Sequence, residues 1–151
     1  MMDVARAKAA KKGWSERTRF MYADCENLPF GNESFDRISV GFGVRNFENR
    51  EKGLQEVCRV MKADGMFVIL ELSIPENKLL RSLYNIYFYK ILPTIGGWIS
   101  KNKGAYLYLP DSVGKFPKPL VFKEILENCG FSQVTVRSLT CGVCHMYICR
   151  K

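Results

Sequence analysis

The chain has 151 residues, a length that suits one domain with a hydrophobic core. Apolar residues make up 47% of it and aromatic residues 13%, which excludes an intrinsically disordered or collagen-like chain. Lysine and arginine number 23 against 15 acidic residues, and the net charge of +8 favours contact with phosphates or anionic surfaces. These basic residues are scattered rather than clustered, so we expect a solvated surface and no nucleic-acid binding.

The first thirteen residues, MMDVARAKAAKKG, predict a helix that Gly13 closes. This helix has no capping residue ahead of Met1, so its pattern begins in mid-element. The segment also lacks the apolar core of a signal peptide. We therefore expect a cytoplasmic protein whose six cysteines are reduced and mostly buried.

Strand and helix patterns alternate in the first half of the chain. RFMYADC (19–25) and FDRISVGFG (35–43) predict strands, and NREKGLQEVCRVMKADG (49–65) predicts a helix with Gly65 as its stop. MFVILELS (66–73) is an apolar run, typical of a strand that is buried on both faces.

The second half begins with a long helical stretch. Residues 75–103 show apolar side chains at helical spacing, interrupted at Pro93, and residues 117–129 predict another helix. Residues 131–138 and 142–150 predict two strands that pair antiparallel at one edge of the sheet. The order of elements predicts an α/β fold with a mostly parallel sheet and helices on its faces.

The string CGVCH at 141–145 has the spacing that attaches c-type haem. In an extended strand over 142–150, neighbouring side chains point to opposite faces, so Cys144 and His145 diverge. A metal site needs its ligands to converge. We therefore predict a structural strand at this position, with no metal and no haem.

Candidate functional residues follow the carboxyl ends of the first two predicted strands. Asp24 and Cys25 come after the first strand, and Gly41, Arg45 and Asn46 end or follow the second. In open α/β sheets, ligands bind at these strand ends.

Several stretches together resemble the ubiquinone/menaquinone biosynthesis C-methyltransferases, which are S-adenosylmethionine-dependent enzymes of class I. FGVRNF combined with AYLYLPDSV is the specific part of the resemblance. The matching stretches are ADCENLPF (23–30), FDRISVGFGVRNF (35–47), CRVMKADGMFVILELS (58–73), ILPTIGGWISKNKGAYLYLPDSV (91–113), FKEILENCGF (122–131) and RSLTCGVC (137–144).

The resemblance implies S-adenosylmethionine as cofactor and a polyprenyl hydroquinone, either demethylmenaquinol or the demethylated ubiquinol precursor, as substrate. In such a site the Asp24 carboxylate accepts from the adenine amine and the Cys25 amide donates to the adenine ring. Gly41 lets the backbone approach the sulfonium end of the cofactor. Arg45 and Asn46 lie beside the substrate ring, where Arg45 stabilises the developing phenolate, since an arginine stays protonated and is a poor base. The alternative for Arg45 is a surface or structural ion pair.

The resemblance also implies a Rossmann-like class I methyltransferase fold that lacks the family's first strand, first helix and second strand. We expect one methyltransferase domain over 1–151, N-terminally incomplete and without the glycine-rich cofactor loop, with 75–113 as a helical insert that covers the substrate. The aromatic-rich stretch 79–99 is either a peripheral membrane contact or an ordinary cap on the sheet.

Two other readings of the function stay open from the sequence. The chain could be a catalytically inactive fragment, or a remnant that acts by binding a partner. Its partners would then be a second copy of itself or a complementing N-terminal segment.

Overall fold

The computed structural model describes residues 2–91 and 103–151, and within them four strands form one mixed sheet in the order β1-β2-β4-β3. β1 and β2 are parallel, whereas β4 runs antiparallel to both β2 and β3. The antiparallel pairing of the last two strands is therefore confirmed, whereas the prediction of a mostly parallel sheet was wrong for the described residues, because β4 lies antiparallel between β2 and β3. The strands span Phe35–Gly41 (β1), Met61–Leu72 (β2), Gln133–Leu139 (β3) and Cys144–Arg150 (β4).

Five helices accompany this sheet in the described ranges, and a π-helical turn at Tyr87–Ile91 extends the third. The helices predicted near the N-terminus and over 117–129 are confirmed, and Asn49 caps the second helix by accepting from Lys52 N. The predicted interruption at Pro93 lies outside the described residues. The helices span Met2–Lys11 (α1), Arg50–Val60 (α2), Lys78–Ile86 (α3), Lys103–Gly114 (α4) and Pro119–Asn128 (α5).

The hydrophobic core lies where α2 and α5 pack against one face of the sheet. Phe67 and Ile69 of β2 are fully buried on this face, while Val68 and Leu70 on the other face are half-buried. The prediction that β2 is buried on both faces therefore holds fully for one face only. The core also includes Leu54, Val57, Phe122, Leu126, Phe131, Tyr147 and Cys149.

No helix in the described ranges is long and apolar enough to cross a bilayer.

The prediction of a strand at 19–25 was wrong. Only Asp24 forms a bridge there, an isolated one with Asn27 of the next turn. The apolar residues of this stretch favour an extended chain, but a strand also needs a ladder of hydrogen bonds to a neighbour. β1 is the edge of the described sheet and pairs only with β2.

The predicted stop of the second helix at Gly65 was also wrong. α2 ends at Val60, and Met61 already has the extended backbone of a strand and pairs with Phe35. The register then shifts so that residues 62–65 bulge out of the ladder. A Cβ on Gly65 would lie 2.8 Å from the Lys62 carbonyl oxygen, so glycine serves the tight bulge rather than a helix end. Burial of Met61 and its pairing with Phe35 override the helical spacing.

Candidate functional site

The carboxyl ends of the parallel strands β1 and β2 lie side by side, as the sequence predicts for a ligand site. Gly41 ends β1, and the backbone N–H of Phe42 still donates to the carbonyl of Leu70 at 2.8 Å. A Cβ built on Gly41 would meet no atom within 4 Å. No protein contact therefore requires glycine at this position, and its missing side chain leaves open space at the strand end.

Arg45, in the short 3-10 turn Val44–Asn46 after β1, forms a buried ion pair with Glu71 of β2. Its Nη1 donates to Glu71 Oε1 at 2.7 Å and to the carbonyl of Phe42 at 2.7 Å. The Arg45 backbone N–H donates to Glu71 Oε2 at 3.2 Å, and Leu72 N donates to Oε1 at 3.0 Å. Only 10% of the Arg45 side chain and 1% of the Glu71 side chain are exposed.

Sequence reasoning identified Arg45 but missed Glu71. The available signal was a single acid in the apolar run MFVILEL, because a buried charge is rare unless it is paired. In this structure the pairing partner is one of the predicted site residues.

Arg50, the first residue of α2, brings a second positive charge toward Glu71. Its guanidinium lies 5.0 Å from the centre of the Phe116 ring, a cation–π arrangement. Burial lowers the pKa of Arg50, and the negative charge of Glu71 acts against that shift. The Nε–H groups of Arg45 and Arg50 are both buried and have no hydrogen-bond partner in the described ranges. The negative charge of Glu51 acts on Arg50 in the same direction as that of Glu71.

Asn46 connects this turn to the helical segment above it. The Tyr108 hydroxyl of α4 donates to Asn46 Oδ1 at 3.0 Å. α4 also contacts the Tyr87–Ile91 turn that extends α3. The described parts of the 75–113 segment thus lie over the residues that follow β1.

Tyr84 of α3 is buried, and its hydroxyl has no hydrogen-bond partner among the described residues. Its ring stacks on Phe88 with the ring centres 4.1 Å apart. Burial raises the pKa of Tyr84 to about 12, with a contribution from Tyr89, while the positive charge of Arg45 acts in the opposite direction. The Tyr84 hydroxyl therefore lies within electrostatic range of Arg45.

Asp24 and Cys25 lie in a segment that is tied to the start of α2. The exposed Asp24 accepts from Glu26 N at 2.9 Å, and Glu26 Oε1 accepts from the backbone N–H of the capping residue Asn49 at 2.6 Å. The Cys25 sulfur would lie 3.6 Å from a Cβ on Gly53 of α2. Burial raises the pKa of the Cys25 thiol, and the neighbouring Asp24 and Glu26 raise it further, which suits a packing role rather than a nucleophile.

Phe47 joins the two groups of predicted site residues. A Cβ on Gly53 would come within 2.7 Å of the Phe47 ring, so the glycine lets the chain after Asn46 pack closely on α2. Both the 24–28 segment and the 44–46 turn are therefore fixed by the first turns of α2. The structure places Arg45 and Asn46 beside each other and anchors Asp24 and Cys25 to the same helix.

The strand predicted over CGVCH is confirmed from Cys144 onward. Cys141 lies in the preceding turn and is exposed, whereas Cys144 is buried. His145 Nδ1 lies 2.7 Å from the Ser73 hydroxyl, which reaches the Gly142 carbonyl at 2.7 Å. Within 2–91 and 103–151, no three His, Cys, Asp or Glu side chains are placed to hold a metal ion together.

A cavity of about 430 Å³ opens beyond the end of β2. Leu72, Ser73 and Ile74 form its floor, and Arg81 and Asn85 of α3 line one wall. The opposite wall is the stretch 113–119 between α4 and α5. The lining mixes apolar side chains with the polar or charged Ser73, Glu76, Arg81, Asn85 and Lys118, and it includes none of the predicted site residues.

The model of the ubiE/COQ5 methyltransferase family matches residues 1–151. A demethylmenaquinone methyltransferase of Bacteroides fragilis is 44% identical over the whole chain, which covers 62% of that protein. The ubiquinone/menaquinone biosynthesis C-methyltransferase UbiE of Geotalea daltonii is 42% identical over 97% of the chain and 62% of its own length.

Solved structures show the same fold at low identity. A SAM-dependent methyltransferase from Aquifex aeolicus superposes with a TM-score of 0.60 at 17% identity, over 97% of this chain and 61% of that one. The predicted class I methyltransferase fold is thus confirmed. The chain spans somewhat under two thirds of the length of the curated relatives quoted above.

Proposed function

The chain belongs to the ubiE/COQ5 methyltransferase family, and on that premise we propose that it transfers a methyl group from S-adenosylmethionine to a ring carbon of a polyprenyl hydroquinone. The relative from Bacteroides fragilis, named for demethylmenaquinone, favours demethylmenaquinol over the demethylated ubiquinol precursor. The observation that carries the proposal is the buried Arg45–Glu71 pair beside the open space at Gly41.

The residues present fit one end of S-adenosylmethionine. The exposed Asp24 carboxylate is an acceptor for the adenine amine, the Cys25 amide is a donor for the ring, and the space at Gly41 admits the methyl-bearing end. When bound, the cofactor supplies an electrophilic methyl group on a sulfonium. The predicted roles of these three residues are part of the proposal.

Arg45 and Asn46 act on the substrate. A hydroquinone ring becomes nucleophilic at carbon when one of its hydroxyls loses its proton. A guanidinium is a poor base, so the positive charge of the Arg45 side chain stabilises the ring oxygen as the negative charge develops. Glu71 fixes the guanidinium from one side, which orients Arg45 before the substrate binds. Asn46, held by Tyr108, positions the ring beneath α4.

The proposal includes a cytoplasmic location with contact to the membrane surface, where a polyprenyl substrate resides. Leu79, Leu83 and Ile86 of α3 are 71%, 57% and 45% exposed and follow the i, i+4, i+7 spacing of one helix face. An exposed apolar helix face on a chain of charge +8 favours an anionic lipid surface. The 75–113 segment carries this apolar face, and it covers the substrate while the face contacts the lipid.

The test is methyl transfer from labelled S-adenosylmethionine to a short-chain demethylmenaquinol, with the position of the label read by mass spectrometry. We expect label on the ring carbon, a cofactor KM raised about tenfold or more by Asp24→Asn, and a lower kcat for Arg45→Lys. Asp64→Asn in the exposed bulge is the matched control and should change neither constant. Label on a hydroxyl oxygen contradicts the proposal, and absence of transfer favours the inactive fragment.

A further inference from the structure

We propose that the Tyr84 hydroxyl and the Arg45 Nε–H together bind the substrate ring oxygen on which negative charge develops, so that Tyr84 contacts the substrate directly. This inference rests on the proposed function and names the two donors that the site offers to that oxygen. From the sequence, Tyr84 was one of several aromatic residues in the 79–99 stretch and had no separate role.

Both donors are buried and unsatisfied. The Tyr84 hydroxyl and the Arg45 Nε–H have no hydrogen-bond partner in the described part of the chain. Leaving a buried polar group unpaired costs about 1–3 kcal/mol, which a fold does not ordinarily accept twice in one place. An acceptor that enters with the ligand would remove the cost at both atoms.

The two donors come from elements that converge on the same side of the site. Glu71 binds Arg45 through Nη1, and the Arg45 Nε–H has no hydrogen-bond partner among the described residues. Tyr84 is fixed by its stacking on Phe88 in the turn that α4 contacts, and α4 also holds Asn46. The charge of Arg45 acts on the Tyr84 hydroxyl, and both atoms are covered in this structure, so a ring oxygen reaches them when α3 and the 44–46 turn separate to admit it.

The chemistry of Tyr84 suits a donor rather than a base. Because burial raises its pKa to about 12, its hydroxyl keeps its proton while a substrate hydroxyl of ordinary acidity loses one. Arg45 and Arg50 bring positive charge to this side of the site, which Glu71 and Glu51 offset in part. Tyr84 then donates its hydrogen bond to the phenolate, and the bond strengthens as the charge forms.

The test uses 4-methoxy-1-naphthol, a phenol whose neutral and ionised forms differ in absorbance, under an inert atmosphere that prevents its oxidation. The probe is titrated into the 151-residue chain between pH 6 and pH 10, and the affinities of naphthol and naphtholate are measured separately. The wild-type chain should bind the naphtholate more tightly than the naphthol. Tyr84→Phe should weaken naphtholate binding by about tenfold or more and leave naphthol binding nearly unchanged, because it removes a hydrogen bond to a charged acceptor.

Tyr87→Phe, in the next turn and on the exposed side, is the matched control and should behave as wild type. Circular dichroism checks that Tyr84→Phe is folded, and the retained aromatic ring keeps the stacking on Phe88. Equal naphtholate binding by wild type and Tyr84→Phe overturns the role of Tyr84 alone. A wild-type chain with no preference for the naphtholate overturns the anion-stabilising role of Arg45 as well, whereas the methyl-transfer assay decides the proposed function separately.

Discussion

Replacing Glu71 with leucine should destabilise the fold far more than removal of an ordinary acidic residue. Glu71 is 1% exposed and accepts from Arg45 Nη1, Arg45 N and Leu72 N. The Glu71→Leu change leaves the positive charge of Arg45 in a buried position without its counter-charge. Breaking a buried ion pair by removing one partner costs about 3–5 kcal/mol. The freed Arg45 and Leu72 amides also lose their acceptor, so the upper part of that range is expected.

Urea unfolding followed by circular dichroism measures the effect, and a double-mutant cycle assigns it. Arg45→Met alone leaves Glu71 buried and unpaired, so it should also be strongly destabilising. The double variant removes both charges and should be less destabilised than the sum of the two single variants by about 2–3 kcal/mol. Lys62→Met removes one partner of the Lys62–Asp36 pair, where the side chains are 42% and 67% exposed, and provides the surface control.

The result that refutes this reasoning is a Glu71→Leu variant whose free energy of unfolding falls no more than that of Lys62→Met. Additive single variants would show that Arg45 and Glu71 do not stabilise each other, whatever the distance between them. Either outcome would remove the structural ground for treating Arg45 as oriented by Glu71.

Three further predictions concern pH, thiols and lipid. Hydrogen bonds from Arg59 lower the pKa of Glu56 from 4.5 to about 2, so the contribution of Glu56 to stability is present above pH 4.5 and is lost as the pH falls toward 2. Glu56→Gln should therefore flatten the decline of the urea midpoint over that pH range. Glu124→Gln, on the exposed face of α5, should leave the decline unchanged. Cys141 is exposed and should react first with an aromatic disulfide reagent at pH 8, so Cys141→Ser should abolish the fast phase seen by absorbance. Leu79→Ser should weaken binding to anionic vesicles in a sedimentation assay even at low salt, and equal binding would show that the α3 face does not contact lipid.

Much of the fold could be predicted because its signals are local. Pro117 just before α5 and Gly130 after it predict that helix, and the alternation in β3 and β4 needs only a few neighbouring residues. The predictions were wrong where pairing with a residue distant in the sequence determines the local structure. Residues 19–25 have the side chains of a strand without a paired neighbour, and Met61 leaves the helical pattern because Phe35 pairs with it.

The candidate site shows the same division. Asp24, Cys25, Gly41 and Arg45 could be proposed as site residues because each stands in a recognisable string at or after the end of a predicted strand. Glu71 could not be assigned a role, since its partner Arg45 is 26 positions away and only the parallel pairing of β1 with β2 brings them together. Tyr84 reads in the sequence as one more apolar position of a helix, and only its buried hydroxyl distinguishes it.

Arg45 therefore has two kinds of partner, and this changes how its substitution is interpreted. The sequence favoured a role for Arg45 in stabilising the substrate phenolate, in which case loss of activity in an Arg45 variant would report on catalysis. The structure binds its Nη1 to Glu71 and to the Phe42 carbonyl, so an alanine at this position removes a structural contact at the same time. The Nε–H is the part of the guanidinium that remains for a ligand. Catalytic and structural effects at Arg45 are separable only by variants of its neighbours: Tyr84→Phe alters the ligand side, and Glu71→Leu alters the protein side.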